Sequence, residues 1–482
     1  MLQVQTKAPG NIGTETSNEK FRCGSLVYTQ AGLFTLFTWL LWGDFCFSLM
    51  ETIWPNILPL MLKAEGAPNL VISMVITTIP SAMNFVMNPI ISTASDRHRS
   101  PRGRRIPFLL IGTPFVAVFL VLLGFSRDLG RLLGGALAGA LPGLSTAGVA
   151  VGVICVLLIC FRFFELFVNT VFWYLFNDVV PSAFMGRFLG FFRVVGAISG
   201  ACFNFFLFRY AESHTSLIFF GVAVLYSTAF LAMCLRVKEG AYPPPDPAMA
   251  GGRSLVTYIT TFVRECFGHR IFRLVFGYTA VFYMGNTMNT FMVFMAFSIG
   301  LNLEDVGKVA GVASLVSIVL MYPMGFLVDR LHPLRVMLIS QAGFCVVMAC
   351  KLVFLFHDFP RDTAFWIYAA LAGLTIPINA ANSAATLPMV MRIFPHAQFG
   401  QFCSANAMCG ALGTMAGGVL AGSFLDLLKS FYGAGNYFYR FAPIWSVCFM
   451  LLSGAATLLV FREWKKLGGD ESYRPPAAGQ GA

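Results

Sequence analysis

The chain has 482 residues, of which 57% are hydrophobic and only 11% charged, with a mean hydropathy of +0.73. This excludes an ordinary soluble domain, in which about a quarter of the residues are charged. The formal charge of +11 needs no nucleic acid to explain it, because anionic lipid headgroups attract the same lysines and arginines.

A hydrocarbon core about 30 Å thick takes roughly 20 apolar residues per helix. Runs of that length recur twelve times, near 31–53, 69–95, 106–126, 148–176, 185–208, 216–236, 271–298, 308–328, 335–357, 364–391, 399–426 and 441–462. Continuous runs, rather than short alternating segments, exclude a β-barrel, so the expected fold is an all-α membrane protein with twelve transmembrane helices. Residues 1–30 are polar and show no short apolar stretch followed by a small-residue cleavage site, so no removed signal peptide is expected. The twelve cysteines fall mostly within spans and form no CxxC pair. Core packing is their expected role, with no disulfide framework, metal site or cofactor.

Span one carries Asp44 about 13 residues in, roughly 20 Å along the helix and near the midplane, with Glu51 seven residues further on the same face. An ionisable group at mid-span costs about 2.5–3.5 kcal/mol on insertion scales, which marks Asp44 as functional. Glu51, close to the outer surface, reads equally well as solvated. Between spans two and three, Ser95–Arg105, "SDRHRSPRGRR", holds five arginines. With both termini inside the cell, the basic excess falls on the inner segments, as the positive-inside rule asks. Arg104 and Arg105 precede a helix, where they oppose its dipole. Besides topology, they can pair with Asp96 or Asp178 as a latch between closed and open states, Arg97 and Arg102 belonging to the same basic set; the alternative is a solvated loop.

Span four places Arg162, Glu165 and Asn169 three and four apart, on one face. Arg162 and Glu165 read either as a self-neutralising pair or with Glu165 as a proton carrier. A neighbouring arginine favours the charged carboxylate, whereas a carrier must take up a proton, so Asp44, with no basic residue in its span, is the better candidate. Trp173 offers an aromatic face to a pyranose or serves as an interfacial anchor. Arg193 in span five lies too deep for easy snorkelling; its five donors suit hydroxyls or a carboxylate, and Asp178 or Asp44 is its structural alternative. Gly186, Gly190, Gly196 and Gly200, like Gly410, Gly413 and Gly417 in span eleven, are read as sites of close helix contact. The later spans lack ionisable residues apart from Lys351, placed to snorkel. Instead Tyr283, Asn286 and Thr290 share a face of span seven, and Thr375, Asn379, Asn382 and Thr386 one of span ten. They are either interhelical glue or contacts for a neutral polyol.

The organisation expected is a tail over 1–30, a six-helix half over 31–236, a linker over 237–270, a second half over 271–462 and a tail over 463–482. The halves echo each other: Pro181-x-Ala183-x-x-Gly186-x-Phe188 with Gly196-Ala197 matches Pro395-x-Ala397-x-x-Gly400-x-Phe402 with Gly410-Ala411, at a constant offset of 214. Asp96-Arg97 echoes Asp329-Arg330 more loosely. Two six-helix halves in parallel repeat are the architecture of major facilitator transporters, in which one half rocks against the other around a midplane site.

"NPIISTASDRHRSPRGRRIPFLLIG" (88–112) resembles the loop between spans two and three of the glycoside–pentoside–hexuronide cation symporters, and its RGRR-x-PF core resembles the sucrose-transporter branch. "WGDFCFSLMETIW" (42–54) and "NTVFWYLFNDVVP" (169–181) are similar to spans one and four of the melibiose-permease branch. The resemblance covers the N-terminal half well and the C-terminal half thinly. It implies sugar-binding roles for Asp44, Asn169, Trp173 and Arg193. It also shows a departure: Asn84 and Asn88 stand where sodium-coupled members have two aspartates. Amide oxygens supply no charge to a hard cation, so protons rather than sodium are the expected driver, with uniport open. The resulting expectation is a monomeric, proton-coupled symporter of a sugar or glycoside in the cell membrane. The alternatives are an exporter or carrier of an amphiphile, for which the 50 phenylalanines are suited, and a non-transporting sensor. No nucleophile–base pair, phosphate loop or metal spacing points to an enzyme.

Overall fold

The computed structural model describes residues 21–137, 145–241, 262–395, 398–433 and 435–476. Most of the expected linker, including 242–261, and the outer parts of both tails lie outside the described residues, as does Ala397 of the repeat. Eleven continuous helices among the described residues are long and apolar enough to cross a membrane. These are α1 (Gln30–Ala64), α2 (Asn69–Arg97), α3 (Ile106–Gly124), α4 (Thr146–Val179), α5 (Ser182–Tyr210) and α6 (Thr215–Arg236), then α8 (Leu303–Arg330), α9 (Pro333–Phe356), α10 (Arg361–Ile393), α11 (Phe399–Tyr432) and α12 (Tyr437–Lys466). The expected seventh span is broken: α7 (Arg270–Asn286) passes through a 3-10 segment, Thr287–Phe291, into a short helix, Met292–Ser298.

The boundaries follow from local chemistry. Thr29 caps α1, its hydroxyl accepting the Gly32 N–H at 3.0 Å. Asn302 and Asp305 form a reciprocal capping box at the start of α8, satisfying donors that the first helical turn leaves unpaired. Gly103, at φ +106°, adopts a backbone that side chains rarely tolerate and turns the arginine loop into α3. Beyond α3 a further helix, Ser126–Leu137, packs against α4.

The chain forms two compact units, one of residues 1–67 and 83–247, the other of 68–82 and 248–482. In the first, α1 packs on α5 and α6, and α3 on α4 and α6. Phe47, Phe172 and Phe230 fill its centre, with the Phe172 and Phe230 rings 4.9 Å apart. In the second, α7 packs on α11 and α12, and α10 on α8 and α9. Gly413 permits the closest approach: a Cβ there would lie 2.2 Å from the Ala280 carbonyl oxygen. Gly186 and Gly190 in α5, expected to act likewise, face open space.

Also in the second unit, the first turns of α2 pack on α11. The Asp426 carboxylate accepts the backbone N–H of Asn69 at 2.9 Å and of Leu70 at 2.8 Å. The Asn69 amide donates to the same carboxylate, and the Tyr439 hydroxyl donates to Asn69 Oδ1 at 2.6 Å. An anion at a helix N-terminus offsets the dipole and pairs its orphan donors.

Candidate functional site

The buried charges of the first unit lie on α1 and α4. Asp44 has no exposed surface; Ser48, one turn on, donates to Oδ1 at 3.3 Å, and Oδ2 has no partner. Close packing holds it there: Ser199 of α5 donates to the Phe45 carbonyl at 3.0 Å, and Gly43 makes room for the Met233 sulfur.

Two turns along α1, Glu51 is not simply solvated. Its Oε1 lies 3.4 Å from Arg162 Nη1 and accepts from the Trp54 indole at 3.4 Å. The Arg162 guanidinium sits 4.5 Å over the Trp54 ring, a favourable place for a desolvated cation. Arg162 also contacts fully buried Glu165, three residues on. Asn169 faces Glu165 from the next turn, with its Oδ1 unpartnered. The arrangement is thus a guanidinium between two carboxylates rather than an isolated pair. The spacing within α4 showed half of it; Glu51 stood out as a carboxylate on the face of Asp44, but nothing in the sequence paired it with Arg162 on another helix.

Nearby polar groups complete the lining. Thr170 donates to Asn88 Oδ1 at 2.8 Å, tying α4 to α2. Trp173 is half exposed, and its ring lies 4.8 Å from Phe192 and 5.7 Å from Phe176. Arg193 is exposed, and neither Asp44 nor Asp178 pairs with it among the described contacts.

The N-terminal end of α3 forms a second charged cluster. Arg104 and Arg105 both reach Asp178 at the end of α4, with Nε–O distances of 2.9 and 3.0 Å. Arg105 also contacts Asp96 and Ser95, and Arg104 lies 3.8 Å from Asp96. The dipole conflict read from the sequence is offset by Glu239, just beyond α6. Its carboxylate accepts the backbone N–H of Arg104, Arg105 and Ile106 at 2.8, 2.8 and 2.6 Å. Sequence reasoning missed Glu239, which lies more than 130 residues away. A short hairpin, β1 (Arg22–Cys23) and β2 (Leu26–Val27), closes over this cluster. The Cys23 thiol lies 3.4 Å from the Asp178 carbonyl, and Ser25 accepts the Ala241 N–H at 2.8 Å. Burial, then the Asp178 charge, pushes the Cys23 thiol up from its ordinary value. Arg97 and Arg102 are exposed and stand outside the ion pairs.

Apart from Asp426 at the start of α2, the polar groups buried in the second unit are uncharged among the described residues. Asn382 is buried with Oδ1 unpartnered; the Asn286 amide donates to the Phe282 carbonyl at 3.0 Å, and Asn379 is exposed. Gln341 accepts from Ser453 at 2.9 Å and meets the Tyr278 hydroxyl at 3.5 Å. Asp329 and Arg330 are exposed, the latter 4.4 Å over the Phe326 ring, and do not rebuild the Arg104–Asp178 cluster.

The profile of the MFS/sugar transport protein family matches residues 41–297, more than half of the chain, and that of the Major Facilitator Superfamily matches 274–476. The chain belongs to the major facilitator superfamily. It is an integral, multi-pass membrane transporter, and these are families of transporters rather than enzymes. Over 50 residues it is 44% identical to sucrose transport protein SUT5 of Oryza sativa subsp. indica and 40% identical to SUC3 of Arabidopsis thaliana. Those matches cover 10% of this transporter and 9% and 8% of the two relatives. The fold is shared more widely. A bacterial homologue of the human lysosomal transporter Spinster aligns at a TM-score of 0.65 and 13% identity over 91% of this chain and 98% of its own. The D-xylose–proton symporter aligns at 0.60 and 13% identity over 89% and 97%.

Proposed function

We propose that the transporter carries a sugar or glycoside with a proton, by alternating access, in the cell membrane, with both termini cytoplasmic and the monomer as the working unit. The observation that carries this reading is Asp44: wholly buried, with one oxygen unpartnered and no basic group paired with it among the described residues. A desolvated carboxylate of this kind can exchange a proton in the working range and accept sugar hydroxyls when charged. Asn169, Trp173 and Arg193 supply an amide, an aromatic face and five donors, the recurring parts of a polyol site. Asn286, Asn379 and Asn382 offer neutral contacts to the same substrate class. Short sequence identity to sucrose transport proteins supports the sugar class. Asn84 and Asn88, uncharged, disfavour sodium as the driver. Arg104, Arg105, Asp96 and Asp178 act as the latch, holding one conformation and parting in the other.

The test is uptake into proteoliposomes of labelled disaccharides, glycosides and hexuronides, with and without an inward proton gradient. Gradient-driven accumulation of one class, lost in Asp44→Asn with exchange retained, is the expected result. Full pH-dependent accumulation in Asp44→Asn would overturn the coupling role. Failure of every sugar to accumulate would move the substrate to an amphiphile or the direction to export.

A further inference from the structure

Glu51, Arg162 and Glu165 pose a charge-counting problem that the transport reading leaves open. If all three were ionised, one guanidinium would face two carboxylates, leaving a net negative charge mid-way along α4. Glu165 is fully buried and its Oε1 receives no hydrogen bond; Arg162 Nε is likewise unpartnered. The Glu51 and Glu165 carboxylates both reach the same nitrogen, Arg162 Nη1, which places them close enough to repel each other when both are ionised. Two carboxylates sharing a site do not both ionise at ordinary cost, and a buried charge left unmatched is strongly destabilising.

Among the described residues, no lysine and no arginine other than Arg162 pairs with either glutamate. Trp54 donates from α1 to Glu51, Asn169 faces Glu165 on α4, and Tyr226 of α6, with Thr113 of α3 beside it, is a further polar neighbour. Asp44, seven residues before Glu51 and about 10 Å away along the helix, is another negative group. The compensating positive charge therefore has one available source, the solvent proton. Glu51, with about a third of its side chain exposed against none for Glu165, is the member through which that proton enters and leaves.

We propose that Glu51 and Glu165 share one proton across Arg162, forming a second proton site distinct from Asp44, with Glu51 as its gate. Taking up a proton neutralises the cluster; releasing it through Glu51 restores one uncompensated negative charge. The role in transport rests on the coupled-symport reading, but the shared proton does not.

Infrared difference spectroscopy of the lipid-reconstituted protein reads the proton without any substrate. In an Asp44→Asn background at neutral pH, the expected spectrum contains an unionised carboxyl carbonyl band that shifts in deuterium oxide. Glu51→Gln and Glu165→Gln should each abolish it, because Arg162 then matches one carboxylate. Arg162→Met should retain or enlarge it. A band untouched by both glutamine variants, or absent from the parent, overturns the proposal. Glu51→Gln removes a partly exposed charge and relieves repulsion, so it remains informative if Glu165→Gln fails to fold. In proteoliposomes Glu51→Gln should lose gradient-driven accumulation and keep exchange. Should no sugar be carried at all, the symport reading fails and the infrared result still decides the shared proton.

Discussion

The two units bury polar groups by opposite means. The first sets Asp44, Glu51, Arg162 and Glu165 inside its helices and pairs Arg162 with both glutamates, leaving Asp44 without a basic partner among the described residues. The second uses neutral networks, such as Gln341 with Ser453 and Tyr278, and close backbone contact between α7 and α11. Repeated architecture therefore does not imply repeated chemistry: a charge inside a membrane is a liability unless something moves it, and only the first unit carries such a set among the described residues. The second is built as a neutral counterpart.

The comparison breaks most readily at Arg162. Arg162→Met strips both carboxylates of their partner and should destabilise the first unit by about 3–5 kcal/mol. The loss should shrink as pH falls and the carboxylates take up protons. Gln341→Leu, the matching change in the second unit, leaves only hydroxyls unpaired and should cost about 1–3 kcal/mol, independent of pH. Thermal unfolding of the purified variants across pH separates the two patterns; identical pH dependence would erase the distinction.

Backbone contact gives the next test. Gly413→Ala drives a methyl group into the Ala280 carbonyl and should cost about 1–3 kcal/mol by overpacking. Gly186→Ala meets open space and should be neutral or slightly stabilising, since alanine is the better helix former. Equal melting temperatures for the two variants would contradict the asymmetry.

Helix capping is where the units agree. Glu239 caps α3 in the first and Asp426 caps α2 in the second, each accepting backbone N–H groups from a distant segment. Alanine at either position should cost about 0.5–2 kcal/mol, read as a lowered melting temperature. A much larger loss at one would show that the two are not equivalent devices.

The smallest effect is a pH dependence confined to the second unit. Between α8 and α9, His332 accepts the Leu334 N–H at 3.3 Å and stacks on Trp464. Burial first, then Arg392, lowers its pKa to about 4. The unfolded chain binds this proton at higher pH than the folded one, so stability is fully present above about pH 6.5 and is lost as pH falls toward about 4. His332→Asn, which keeps an acceptor but does not titrate, should flatten that part of the stability curve.

Much of the fold was legible because membrane spans announce themselves by length and hydropathy. The break in α7 was not: Thr287–Phe291 is more polar than the helix that follows it, but it contains neither proline nor glycine, the residues that usually mark a break. The site was legible where its residues share a helix, as Arg162, Glu165 and Asn169 do. It was hidden where the partner is remote in sequence: Glu51 read equally well as solvated, Glu239 as linker, and Asp426 drew no attention. The glycine pattern carried packing in span eleven and misled at Gly186 and Gly190 of span five, because small-residue spacing states that a neighbour can approach, not that one does.

The hairpin over the arginine cluster has a practical consequence for thiol chemistry. Cys23 is half buried against the carbonyls of Asp178 and Val180, and its raised pKa keeps thiolate scarce at neutral pH. Alkylation there should be slow while Asp178 is held by Arg104 and Arg105, and should quicken when that grip loosens. With the exposed Cys350 and Cys448 replaced, the rate at Cys23 would serve as a labelling clock for the proposed parting of this cluster.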